Sequence, residues 1–189
     1  MRLRVFLDTS ALFAGTWSAQ GGGRAVLRLG ESRAIQLVVT AQVLAEIEEA
    51  LRRKAPDLVA QVALLLAKCH VETTPPAPSP GLMAQLAPLV GRTADAAILA
   101  GAAASGIDFF VTHDDKHFLS NPALKVQLPF PIGDPGAFLS GTASGWSGLP
   151  QSVSEKAKEA ADRHLELQPP SGAVPQCRVR IAARLLPLH

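Results

Sequence analysis

Four acidic residues stand where a sheet protein could gather them for chemistry: Asp8, Glu46, Asp95 and Asp114. Asp8 ends the apolar run of "MRLRVFLDTSALFAG" and is followed by two hydroxyl residues, Thr9 and Ser10. A carboxylate beside a strand core needs partners or a cation. Asp114 follows the apolar "IDFFVT", two positions after Thr112, and Asp95 opens the small-residue stretch "TADAAILAGAAASG". Glu46 lies among Val43, Leu44 and Ile47, beside an apolar face that excludes Glu48 and Glu49. Each alone has an ordinary reading: a helix cap, a helix-dipole partner, a turn former, a solvated helix acid. Together they would repel one another and push their pKa values up. A divalent cation removes that penalty, and all-oxygen ligation suits Mg²⁺ or Mn²⁺ better than zinc. The chemistry implied is metal-dependent phosphodiester hydrolysis.

The pattern of elements predicts how these residues are positioned. Residues 3–7 read as a strand and 10–14 as the start of a helix that Ser10 could cap. A glycine turn at 21–23 leads to a helix over 24–29, and the run 34–40 is a second strand. Thr40 caps a periodic helix, "AQVLAEIEEALRRK", and Asp57 opens another after Pro56. "VETTPPAPSPG" is too rich in proline for helix and reads as a loop or edge segment; "LMAQLAPLV" reads as a short helix. A helix from about Thr93 stops at Gly106, a third strand covers 107–112, and a last strand is expected in "VQLPFPI". Strands alternating with helices imply an α/β fold with a central parallel sheet, at whose carboxyl edge functional groups collect. After Leu139 "SGTASGWSGLP" has linker composition, "QSVSEKAKEAADRHLELQ" reads as an amphipathic helix, and no structure is assigned to the remainder.

Composition narrows the class. The chain has 189 residues, 48% hydrophobic and 18% charged, enough for one domain with a core. A net charge of +2 neither requires nor excludes nucleic acid. Its two cysteines, Cys69 and Cys177, match no zinc or redox spacing, which fits a reducing cytoplasm. No secretory signal or membrane span is expected.

The stretches "VFLDTSAL", "VVTAQVLAEIEEALRR", "TADAAILAGAAASGIDFFVTHDDKHFL" and "PIGDPGAFL" resemble the PIN domain family and, within it, the VapC-like toxin ribonucleases. The resemblance covers roughly residues 1–140, leaving 141–189 as a linker and C-terminal extension. It implies a PIN-like three-layer α/β/α sandwich and cleavage of RNA dependent on Mg²⁺ or Mn²⁺. It also implies a cognate antitoxin and a homodimer. By position, the family's acids fall on Asp8, Glu46, Asp95 and Asp114, as catalytic and metal-holding residues. Thr9, Ser10 and Thr112 fall where the family steadies ligands or water. Asp115 is the alternative to Asp114 under a one-residue shift.

On this reading Asp8, Asp95 and Asp114 hold one metal and Glu46 completes the acidic pocket. Arg24, Arg28, Arg92, Lys116, Arg52, Arg53 and Lys54 are candidate phosphate contacts, with a solubilising surface as the competing reading. His113 and His117 read as solvated loop residues. The alternative function is a catalytically weak module that binds RNA or docks an antitoxin. A 5′-nuclease on structured DNA ranks lower, because the chain is short. A haloacid-dehalogenase-type phosphatase expects Asp at position 10, where this chain has Ser10.

Overall fold

The computed structural model describes residues 2–74 and 80–156. Five strands form one sheet: β1 (Arg4–Leu7), β2 (Gln36–Thr40), β3 (Glu72–Thr74), β4 (Phe109–Val111) and β5 (Ile132–Gly133). Their order is β3-β2-β1-β4-β5 and every pairing is parallel. Parallel strands need crossovers, and helices supply them. These are α1 (Thr9–Trp17), α2 (Gly22–Glu31), α3 (Ala41–Lys54), α4 (Val59–Lys68), α5 (Pro80–Val90), α6 (Thr93–Ala104), α7 (Pro122–Gln127) and α8 (Pro135–Ser140). The result is a mixed α/β fold with an all-parallel sheet flanked by helices, as the sequence predicts.

β1, β2 and β4 are almost wholly buried, which is why they read as continuous apolar runs rather than alternating ones. Phe6 and Phe110 stack across the β1–β4 pair with centroids 5.1 Å apart. Phe118 packs on Phe110 at 5.4 Å and so anchors a single π turn, Asp115–Leu119, beyond β4. Gly101 allows α6 to approach the end of β2, since a Cβ there would lie 2.6 Å from Thr40 Cγ2.

Several sequence expectations are corrected. Asp8, not Ser10, caps α1, because its carboxylate accepts the Ser10 N–H. The second helix begins at Gly22 and ends at Glu31, longer than 24–29. The proline-rich stretch does supply an edge, the short strand β3, but its last two residues, Pro80 and Gly81, open α5 although proline was expected to exclude helix there. "VQLPFPI" is not a strand along its length: α7 runs through Gln127, and pairing begins only at Ile132. Residues 140–150, linker-like in composition, pack on the sheet. Trp146 meets Phe109 edge-on at 5.0 Å, stacks with Phe138, and donates Nε1–H to the Phe138 carbonyl. Residues 151–156 are helical with Val153 buried; the rest of that expected helix and of the extension lie outside the described residues.

Candidate active site

With this strand order the topological switch point falls between β1 and β4, where crossovers diverge and leave a crevice at the carboxyl ends. Asp8 lies at that end of β1, its N–H bonded to the Val111 carbonyl of β4. Its carboxylate is buried, and Oδ2 accepts from Ser10 Oγ (2.7 Å), Thr112 Oγ1 (2.9 Å) and Ser10 N (3.3 Å). Ser10 Oγ and Thr112 Oγ1 are themselves 3.2 Å apart, and they accept the His113 and Asp114 N–H groups. Burial pushes the Asp8 pKa up, against these hydrogen bonds.

Asp114 caps the π turn. Oδ1 accepts the His117 N–H at 2.9 Å, and Oδ2 lies 2.8 Å from His117 Nδ1. Asp115 is exposed and accepts from Ser120 Oγ at 2.7 Å, away from Asp8, so the geometry favours Asp114 at this edge. His117, read as a solvated histidine, is instead Asp114's partner; the i, i+3 spacing on a turn is the signal that could have revealed it. His113 reaches the surface, and partial desolvation of its ring lowers its pKa against the pull of Asp134 and Asp8.

Asp95 sits in the first turn of α6. It is buried, and its Oδ2 has no hydrogen-bond partner. Burial raises its pKa; the charges of Arg92 and His117 oppose the rise, and those of Asp8 and Asp114 add to it. Glu46 projects from α3, capped by Thr40 Oγ1. Thr9 Oγ1 donates to Glu46 Oε2 at 2.6 Å, and Gln42 Nε2 donates to Oε1 at 3.0 Å. Glu48 and Glu49 pair instead with Arg52 and Arg53 on the solvent side. Gln42 had no place in the sequence reading, although its spacing four residues before Glu46 is a helix-neighbour signal.

Thus Asp8, Ser10, Thr112 and Asp114 form one hydrogen-bonded network, Thr9 beside Asp8 in the chain holds Glu46, and Asp95 lies within electrostatic reach. Among the described residues, no three His, Cys, Asp or Glu side chains close into a ready-made cation cage. The donor set still fits a hard divalent ion in kind: carboxylates and hydroxyls without sulfur, and one buried carboxylate oxygen lacking a partner. Of the candidate phosphate contacts, Arg24 pairs with Glu31, whereas Arg92 and Lys116 are exposed beside the acids. The Cys69 thiol donates to the Leu27 carbonyl, and burial pushes its pKa up to about 12, so it is no nucleophile.

A family model described as the PIN domain matches residues 4–116. The chain belongs to the PIN domain family. The match spans β1 through the start of the π turn and so includes all four acids. PIN domains are generally nucleases that depend on a divalent metal. Among solved structures, the PIN chain is similar to a crystal structure of VapBC2 from Rickettsia felis bound to a DNA fragment from their promoter. The TM-score is 0.54 with 16% identity, covering 70% of this chain and 100% of that one. No curated protein matches the sequence. Among the described residues no helix is long and apolar enough to cross a membrane.

Proposed function

We propose that this PIN domain is a metal-dependent endoribonuclease that hydrolyses RNA phosphodiester bonds, the toxin of a type II toxin–antitoxin pair. The observation that carries the reading is the state of Asp8 and Asp95. Both are buried at the switch point with raised pKa values, and Asp95 Oδ2 has no partner. Buried carboxylates without a cationic partner are unfavourable, and such perturbed groups cluster at functional sites.

Asp8, Asp95 and Asp114 would hold one Mg²⁺ or Mn²⁺, with Glu46 completing the acidic wall. Mg²⁺ keeps several waters and needs only one or two direct carboxylates, which suits acids that converge without forming a closed cage. When bound, such an ion acidifies a water and neutralises charge developing on the phosphate. The chain's own groups do the rest. Ser10 and Thr112 fix Asp8 by donating to Oδ2, leaving its orientation set before substrate arrives. Thr9 holds Glu46, and His117 holds Asp114. A carboxylate orients the attacking water in line with the scissile bond, and Arg92 and Lys116 meet the flanking phosphates.

The fold shared with a VapBC complex supports an antitoxin partner; homodimerisation and a cytoplasmic location belong to the same proposal. The test is RNA cleavage by the purified chain with Mn²⁺. Cleavage that EDTA stops and Asp8→Asn lowers steeply is the expected result. Equal cleavage with EDTA, or by Asp8→Asn, overturns the mechanism. Tight RNA binding with no turnover in Mn²⁺ would favour the non-catalytic alternative.

A further inference from the structure

We propose that Gln42 is a positioning residue that fixes the Glu46 carboxylate by tying it to the backbone of α6 next to Asp95. The inference rests on the reading of Glu46 as part of the cation-holding acid set and adds what places it there.

Gln42 Nε2 makes two hydrogen bonds, to Glu46 Oε1 at 3.0 Å and to the Ala94 carbonyl at 3.3 Å. Both partners can only accept, so the amide orientation follows from the contacts: its NH₂, with two donors, must face them. Ala94 immediately precedes Asp95 in the first turn of α6. The other Glu46 oxygen accepts from Thr9 Oγ1 at 2.6 Å, and Thr9 immediately follows Asp8. Glu46 is therefore slung between the chain neighbours of the two buried acids, and Gln42 makes the α6 side of the sling. Without that donor, Glu46 loses its tie to α6 and only Thr9 still holds the carboxylate.

The chemistry of the position explains the residue type. A donor to a carboxylate leaves the second lone pairs available and lowers the freedom of the ligand without competing for the ion. Glutamate at 42 would add a like charge against Glu46, and methionine would match the length with no donor.

The test uses the full chain and measures Mn²⁺ affinity by calorimetry, together with the melting midpoint without metal. Gln42→Met is expected to weaken Mn²⁺ binding about 10- to 100-fold. Its metal-free midpoint should stay within about 2 °C of wild type. Gln42→Glu should weaken binding at least as much. In the Glu46→Gln background, Gln42→Met should add nothing, since it acts through the removed carboxylate. Wild-type affinity in Gln42→Met, or a full additional loss in the double variant, overturns the proposal. So does a large fall in the metal-free midpoint of both Gln42 variants, which would mark a structural role. Asp8→Asn serves as the control for the site itself. If it binds Mn²⁺ as wild type does, the reading of the acid set fails. If it loses binding while Gln42→Met keeps it, only the role of Gln42 fails.

Discussion

The two ends of the sheet treat charge in opposite ways. At the amino end, Arg4 of β1 grips Glu72 of β3 with its two terminal guanidinium nitrogens, at 2.9 and 2.7 Å. Its Nε donates to the Ser105 carbonyl, and its backbone N–H donates to Asp108. Each nitrogen of Arg4 has a partner there, and the pair with Glu72 favours both charged forms: Glu72 is lowered and Arg4 raised, chiefly by their hydrogen bond. At the carboxyl end the acids are more deeply buried, yet Asp8 meets only hydroxyl and backbone donors and one Asp95 oxygen meets nothing. Burial then dominates and drives both pKa values up. The contrast between a paired, exposed clamp and buried acids left short of partners is what the proposed cation site requires.

The largest expected effect follows from removing the most buried charge. Asp8→Asn should lower RNA cleavage by about 10²- to 10³-fold, the scale seen when one principal electrostatic group leaves an active site. The metal-free protein should nevertheless melt higher at neutral pH. The folded pKa of Asp8 lies above its ordinary value of 3.8, so the fold disfavours the ionised form and Asn relieves it. A lower midpoint at neutral pH would erase the contrast between the two ends.

Asp114 and Asp115 sharpen the comparison within the carboxyl end. Asp114→Asn should weaken Mn²⁺ binding tenfold or more, on the order of a lost ligand support. Asp115→Asn should change little, since its carboxylate serves Ser120 at the surface. Calorimetry on the two variants checks this, and the reverse ranking would transfer the fourth acid to Asp115.

Mn²⁺ itself should raise the melting midpoint, by about 2.7 kcal/mol of stability at a hundredfold excess over its Kd. The raised pKa values of Asp8 and Asp95 set the pH dependence. Their protonated forms favour the metal-free fold, a contribution complete below 3.8 and lost as pH rises through the folded values. Cation binding has the opposite sign, because only carboxylates ligate. The Mn²⁺-induced shift should therefore shrink on acidification, starting at a higher pH than ordinary carboxylates would give. Melting curves with and without Mn²⁺ across a pH series measure it. A shift that persists undiminished into acid would place the ion away from these acids.

Much of this site was legible from residue type and position. A buried parallel strand is a continuous apolar run, so Asp8 at the end of one was conspicuous, and Thr40 announced α3 by its capping chemistry. Glu46 could be told from Glu48 and Glu49 by helix periodicity alone, and the ion pairs of the latter two agree. What escaped notice depends on contacts between segments distant in the chain. Gln42 matters because α6 brings Ala94 to it, 52 positions away. Trp146 sits in a stretch whose glycines and serines look like linker, and it orders that stretch only because Phe109 and Phe138 offer it an aromatic face. Strand β5 is only two residues long, too short for any periodic signal, and its pairing is fixed by the neighbouring β4.

The smallest expected effect comes from the amino end and completes the comparison. Glu72→Gln keeps the shape of the clamp and removes its charge. Both side chains are partly exposed, Arg4 at 24% and Glu72 at 44%, so solvent screens the pair. The loss in stability should be about 0.2–1 kcal/mol and should fade in high salt. Glu72 is held below its ordinary 4.5, so its contribution is present above that value and disappears as pH falls through the lowered one. The difference between variant and wild type should thus be visible at pH 7 and vanish in acid, opposite in sense to the carboxyl-end acids. Mn²⁺ affinity and RNA cleavage should be unchanged, because the clamp lies at the far end of β1 from Asp8. A change in either would mean that the paired end of the sheet also sets the geometry of the unpaired one.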